Sequence, residues 1–186
     1  TNFFNFMDGA DGMSSIHSLT IFVMIVVLSY LQETLSLFLS TELLWMIIAL
    51  IIGFALFNWP RAILFLGDCG AIPIGFLLAF ILIDISLSGH VVFALIISFY
   101  YWLDPSITLA KRIINKQFFW QAHSCHFYQQ ALKRRWSHHK LANIMVGFNL
   151  LLAILALLSL LQPVGALILA FLATSTLLCY LGGRLS

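Results

Sequence analysis

Charge is what this chain has least of. Lys and Arg number 9 and Asp and Glu 7 in 186 residues, so charged side chains make up 9% against a hydrophobic share of 62%. Soluble domains carry about 25% charged residues, and a water-soluble fold of this size would lack the polar surface to cover itself. The mean hydropathy of +1.03 agrees. The two signs nearly cancel, at net +2, which removes acidic polymers, and nucleic acid among them, as a main partner. Cysteine is scarce as well: Cys69, Cys125 and Cys179 are odd in number and far apart, so no disulfide framework exists. A basic n-region is missing. The chain opens on Thr1 and a polar segment, and is read as the C-terminal part of a longer polypeptide. Period-2 alternation is absent, which excludes a transmembrane barrel, and there is no internal repeat or low-complexity linker. What remains is a series of long apolar runs, the mark of an all-α integral membrane protein.

A helix needs roughly 20 apolar residues to cross the hydrocarbon core. Six candidate segments can be read, at about 16–31, 43–59, 71–87, 89–103, 141–161 and 164–181, the middle pair being short, and they form one membrane domain over 1–186. The last two are divided cleanly by Gln162-Pro163, and the middle pair by a turn near Asp84 and His90, which are expected to cap helices there. With six crossings all nine basic residues fall on one side: Arg61, Lys111, Arg112, Lys116, Lys133, Arg134, Arg135, Lys140 and Arg184. The opposite turns carry only Glu33, Glu42 and Asp84. The positive-inside rule makes the basic side cytoplasmic.

Three loops on that side hold most of the polar chemistry. The first reads T-N-F-F-N-F-M-D-G-A-D-G, with Asn2, Asn5, Asp8 and Asp11 at a spacing of three. A helical turn would gather them on one face and offer oxygen ligands suited to Mg²⁺ or acceptors for a nucleotide. A helix cap with a turn is the plainer reading of Asn, Asp and Gly, but four groups in register favour a site. An EF-hand is excluded by the spacing and the missing closing Glu. The second loop, N-W-P-R-A-I-L-F-L-G-D-C-G, flanks Asp68 with Gly67 and Gly70. Backbone N–H groups there can approach a phosphate while the carboxylate holds a metal.

The third loop, H-S-C-H-F-Y-Q-Q-A-L-K-R-R-W-S-H-H-K, puts His123 and His126 on a shared helical face continued by Gln130 and Lys133 or Arg134. Two readings stand. One is a phosphate-binding face of imidazoles and cations. The other is an amphipathic surface helix on anionic lipid, with Trp120 and Trp136 in the interface. Zinc on His123, Cys125 and His126 is disfavoured, because Cys125 points off that face and no second ligand pair follows. His138 and His139 read as the start of the fifth span behind Ser137 as N-cap.

Together the three loops resemble the polyprenyl-phosphate N-acetylhexosamine-1-phosphate transferases, the MraY/WecA-like superfamily of glycosyltransferase family 4. Asn2–Gly12 is similar to the family's N-x-x-N-x-x-D-G-x-D-G loop. Asn58–Gly70 is similar to its N-x-x-P-A-x-x-F-x-G-D-x-G loop, with Arg61 inserted before Ala62. The H-x-x-H-x-Y-Q stretch from His123 to Gln129 resembles the branch that initiates O-antigen and related surface glycans. The resemblance implies transfer of sugar-1-phosphate from a UDP-N-acetylhexosamine-type donor to undecaprenyl phosphate, with release of UMP. This would start a lipopolysaccharide or cell-wall polymer at the bacterial inner membrane. It implies Mg²⁺, with Mn²⁺ as a substitute, on Asn5 and Asp68. It implies substrate contacts at Asp8, Asp11, Asn58, Phe65, Gly67, His123 and His126. Two departures stand out: Ala71 replaces the Ser that usually follows G-D-x-G, and the family's D-D-x-x-D acids and early lysine have no counterpart in these 186 residues. The chain by itself is therefore expected to be inactive.

Two other classes compete. A transporter would carry charges at mid-span, and here they lie in loops. A non-catalytic membrane fragment would tolerate loss of the motifs, which are intact. Lipid is an implied partner, and a homodimer is left open because apolar helix faces serve lipid and protein alike.

Overall fold

Lipid offers no partner for backbone N–H and C=O groups, so apolar runs in it must close their hydrogen bonds internally. The computed structural model describes residues 1–32, 35–118 and 124–183. Among them the chain is helical, without strands: an all-α polytopic membrane protein. The elements are α1 (Asn2–Phe6), α2 (Met13–Leu31), α3 (Thr41–Asn58), α4 (Gly67–Ile85), a π turn (Ser86–His90), α5 (Val91–Ile114), α6 (Phe127–Lys133), α7 (His138–Leu158) and α8 (Pro163–Leu181).

Five helical stretches among the described residues are long and apolar enough to span a membrane: α2, α3, α7, α8 and the 48-residue stretch Gly67–Ile114. That longest stretch doubles back. A Cβ on Gly75 would sit 3.0 Å from that of Phe4, while the Phe4 ring lies 5.6 Å from that of Tyr101. In one straight helix residues 75 and 101 would be about 39 Å apart at 1.5 Å per residue. The reversal occurs at Gly89, whose φ of 94° only glycine adopts at little cost. Hence α4 and α5, of 19 and 24 residues, are the arms of an antiparallel hairpin.

The turns sort to two ends. Gln32, Gly89, His90, Ser159 and Pro163 line one pocket, so the α2–α3, α4–α5 and α7–α8 connections share an end. Asp84 does not cap its own helix as expected: its Oδ2 accepts from Phe38 N at 2.8 Å and fastens the α2–α3 connection. His90, the N-cap of α5, makes no side-chain cap bond. Glu33 and Arg184 lie outside the described residues.

One boundary differs markedly from the sequence reading. α5 continues through Asp104-Pro105 to Ile114 instead of ending near Leu103. Asp-Pro is a local stop signal, but both residues are buried and the Asp104 carboxylate is fully partnered, so tertiary contacts outweigh it. α7 starts where expected, with Ser137 Oγ accepting from Lys140 N at 3.1 Å.

Enclosure is uneven. About 61% of the α2 span is buried within the protein against 22% for α3, so α2 is the central helix and α3 presents Trp45, Met46, Leu50 and Leu56 outward. α8 packs through Ala166, Ala170 and Thr174, small residues at a spacing of four that permit close approach. A polar contact pins the centre: His17 Nδ1 lies 2.9 Å from Asn149 Oδ1, and its ring stacks on Tyr101 with centroids 3.6 Å apart. It joins α2, α5 and α7.

Candidate functional site

α1 is only five residues long, so the spacing of three does not persist as one helical face. Met7 to Gly12 form turns instead, and Gly12, at φ 73°, starts α2. Asn2 is exposed and lies outside the cavity that follows. Gly12 also gives its N–H to Asn58 Oδ1 at 3.1 Å. The same oxygen accepts from Ser15 Oγ at 2.9 Å, while Asn58 Nδ2 donates to Leu64 O at 2.9 Å. Buried Asn58 thus ties the first loop to the second, with its oxygen fully used.

This knot draws the two loops around a cavity of about 320 Å³. It is lined by Asn5, Asp8, Asp11, Asn58, Phe65, Gly67 and Asp68, seven of the residues marked in the sequence, together with Gly9, Ala10, Leu66 and His138. Asn5 Nδ2 donates to Asp68 Oδ1 at 3.1 Å. Asp8 is half-buried, and desolvation pushes its carboxyl pKa up. Phe65 is 69% exposed, a flat apolar face at the rim. Gly67 opens α4 at φ 58°, and Asp68 stands in that helix's first turn.

The donor set can be tested against metals. Asn5 and Asp68 bring a carboxamide and a carboxylate together. No group of three or more His, Cys, Asp or Glu that could hold a metal ion exists among the described residues. The carboxylate of Asp68 and the carboxamide of Asn5 are donors that Mg²⁺, which keeps water and phosphate ligands, would accept. They do not fit a closed zinc site.

Asp11 is held on both sides. Its Oδ2 accepts from Ala62 N at 3.2 Å, and its Oδ1 is 3.0 Å from His138 Nδ1. His138 is a lining residue that the sequence reading passed over as a helix start. Only its place at N1 of α7, one residue after the cap, could have flagged it.

The histidine loop behaves differently from its sequence reading. His123 and Trp120 lie outside the described residues. His126 does not line the cavity: its side chain is 2% exposed, with Nδ1 3.2 Å from Asp104 Oδ1. Asp104 is fully buried and accepts from Tyr100 Oη at 3.2 Å, Thr108 Oγ1 at 3.2 Å and Phe127 N at 3.1 Å. A buried carboxylate needs such a shell, and here it also caps α6. Seated this way, α6 presents Tyr128, whose hydroxyl donates to Phe6 O at 3.0 Å. Burial, with Asp104 adding, raises the Tyr128 pKa far above the ordinary phenol value and keeps it a donor. A Cβ at Gly9 would collide with that hydroxyl.

The cations are spent elsewhere. Arg134 Nη2 donates to Tyr180 O at 3.3 Å and to Leu181 O, closing the C-terminus of α8. Lys133 Nζ donates to Ser124 O, and Lys140 Nζ sits 3.9 Å from the centre of the Trp136 ring. Trp136 itself packs against Tyr180, centroids 5.1 Å apart. None of these lines the cavity.

Residues 1–86 match the family model of glycosyl transferase family 4. The matched stretch contains both cavity loops and stops before the histidine loop and His138. No curated protein matches the chain significantly, and no solved structure does. Over residues 1–86 the chain is thus similar to glycosyl transferase family 4, a likeness consistent with the MraY/WecA-like superfamily that points to a sugar-phosphate transferase.

Proposed function

We propose that the cavity holds the nucleotide end of a UDP-N-acetylhexosamine-type donor, in an enzyme that passes sugar-1-phosphate to undecaprenyl phosphate and releases UMP. The observation that carries this is the convergence of Asn5, Asp8, Asp11, Asn58, Phe65, Gly67 and Asp68 from two motif loops on one cavity. Phosphoryl transfer asks a protein mainly for positioning and charge stabilisation, with little covalent chemistry of its own. Phe65 supplies a face for a base. The first turn of α4 supplies backbone N–H groups at the positive end of a helix dipole. Asn5 and Asp68 would hold Mg²⁺, which when bound offsets pyrophosphate charge. Asn58 keeps the two loops in register.

The site end carries the basic residues, which favours a cytoplasmic orientation at the bacterial inner membrane and suits donors made in the cytoplasm. The resemblance of the histidine loop favours initiation of a surface glycan such as O-antigen. Inactivity of the 186 residues alone belongs to the same reading, because the acids it assigns to the reaction are outside them.

The test uses membranes carrying the native polypeptide in which these residues occur. UMP release from a UDP-sugar should require both undecaprenyl phosphate and Mg²⁺, and Asp68→Asn should lower it by about 10- to 100-fold or more, the loss typical at a metal site. Unchanged release in Asp68→Asn would sink the proposal.

A further inference from the structure

His138 is the only basic side chain lining the cavity among the described residues, and it faces an acidic company of Asp8, Asp11 and Asp68. A nucleoside diphosphate entering there meets carboxylates on three positions, and metal at Asn5 and Asp68 answers only one edge. A further hydrogen-bond donor would serve the phosphates on the α7 side.

Geometry supplies it. The His138 side chain is 44% exposed, with Nδ1 turned to Asp11: 3.0 Å from Oδ1 and 3.3 Å from Asp11 N. One ring nitrogen cannot donate and accept at once. The shorter contact, to a carboxylate, takes the proton on Nδ1. Nε2 is then the outward nitrogen, on the far side of the ring from Asp11. A carboxylate behind one nitrogen fixes ring orientation, and set between that carboxylate and a ligand phosphate the ring would donate from both nitrogens, Nδ1–H to Asp11 and Nε2–H to the phosphate. The ring also stands in the first turn of α7, where the helix dipole favours an anion. Asp11, with both oxygens engaged, has the geometry of a brace.

We propose that His138, not Asp11, touches the sugar nucleotide on this side, donating from Nε2 to a phosphate oxygen. This rests on the reading of the cavity as a nucleotide site. It adds a contact from outside the family-matched stretch, and makes Asp11 a positioning residue that acts through the ring.

The test compares UDP and uridine, both in Mg²⁺, on the detergent-solubilised native polypeptide in which these residues occur and on its His138→Ala and His138→Gln variants. Each protein is first matched by its thermal midpoint. A charge-assisted contact to phosphate predicts UDP binding weakened about tenfold or more in His138→Ala. Uridine should stay within about twofold, because it lacks the phosphates. His138→Gln, which keeps a neutral donor, should fall between. UDP affinity unchanged in both variants, or UDP and uridine weakened alike, would overturn the phosphate contact. If the unaltered chain binds neither compound, the nucleotide reading falls and this inference falls with it.

Discussion

Two histidines in this chain make the same contact and do opposite work. His126 Nδ1 meets Asp104 at 3.2 Å with both side chains buried, and His138 Nδ1 meets Asp11 at 3.0 Å with the ring 44% exposed. What separates them is the company of the acid. Asp104 collects two hydroxyls and a backbone N–H besides the imidazole, so its pair is a joint between α5 and α6. Asp11 has a single further partner, Ala62 N, and its histidine lines a cavity. An Asp–His contact is therefore read by its surroundings before its distance.

The largest expected effect comes from breaking the buried joint. Asp104→Ala leaves several buried donors without an acceptor, and cutting one side of a buried ion pair typically costs about 3–5 kcal/mol. A large drop in thermal midpoint in detergent should result. The matching change in the exposed pair, Asp11→Ala, should cost about 1 kcal/mol or less. Equal losses in the two variants would erase the contrast.

Next in size is Gly9→Ala, which reaches the site through the joint. The new methyl displaces the Tyr128 hydroxyl from Phe6 O, costing about 1–2 kcal/mol for a buried hydrogen bond lost. UDP binding should weaken with stability, and Gly9→Ala combined with Tyr128→Phe should recover part of both. No recovery would mean that α6 does not steady the first loop.

The exposed half of the comparison is sharpened by pH. Asp8 has its pKa raised by burial above the ordinary 3.8, so the folded state holds that proton more tightly than the unfolded chain. Its contribution to stability is complete below 3.8 and is lost as pH rises through the raised value. Asp8→Asn should make the thermal midpoint less dependent on pH across that acid window. An unchanged pH profile would refute it.

The smallest effect is expected at Gly75→Ala. The added methyl would lie 3.0 Å from Phe4 Cβ and 3.2 Å from Thr1 backbone atoms, so α1 must give by a few tenths of an ångström. A loss of about 1 kcal/mol or less follows if α1 yields, seen as a small fall in midpoint with UDP affinity nearly kept.

The cavity was legible in sequence because two short loops carry nearly all its residues, and Asn58 does the long-range work of closing them. The helical spans were legible from apolar length, although the turn at Gly89 had to be inferred from charge sidedness. His126 was not legible. Its partner Asp104 lies 22 positions upstream, just past the end expected for the fourth span near Leu103, and nothing local says that α5 runs on to Ile114. His138 was missed for the opposite reason: its local role in the first turn of α7 explained it fully, and the Asp11 contact spans 127 positions. Asn2 was over-read, since α1 stops too soon for a spacing of three to make a face.

Arg134 sets an order of events. Its guanidinium closes on carbonyls at Tyr180 and Leu181, the last turn of α8. In synthesis from the N-terminus, both cavity loops emerge long before that turn exists. The first and second loops can be tied by Asn58 while the ribosome is still working, but α6 cannot receive its final latch until α8 has been made and inserted. A segment made late is thus the one that finishes the support beneath loops made before it.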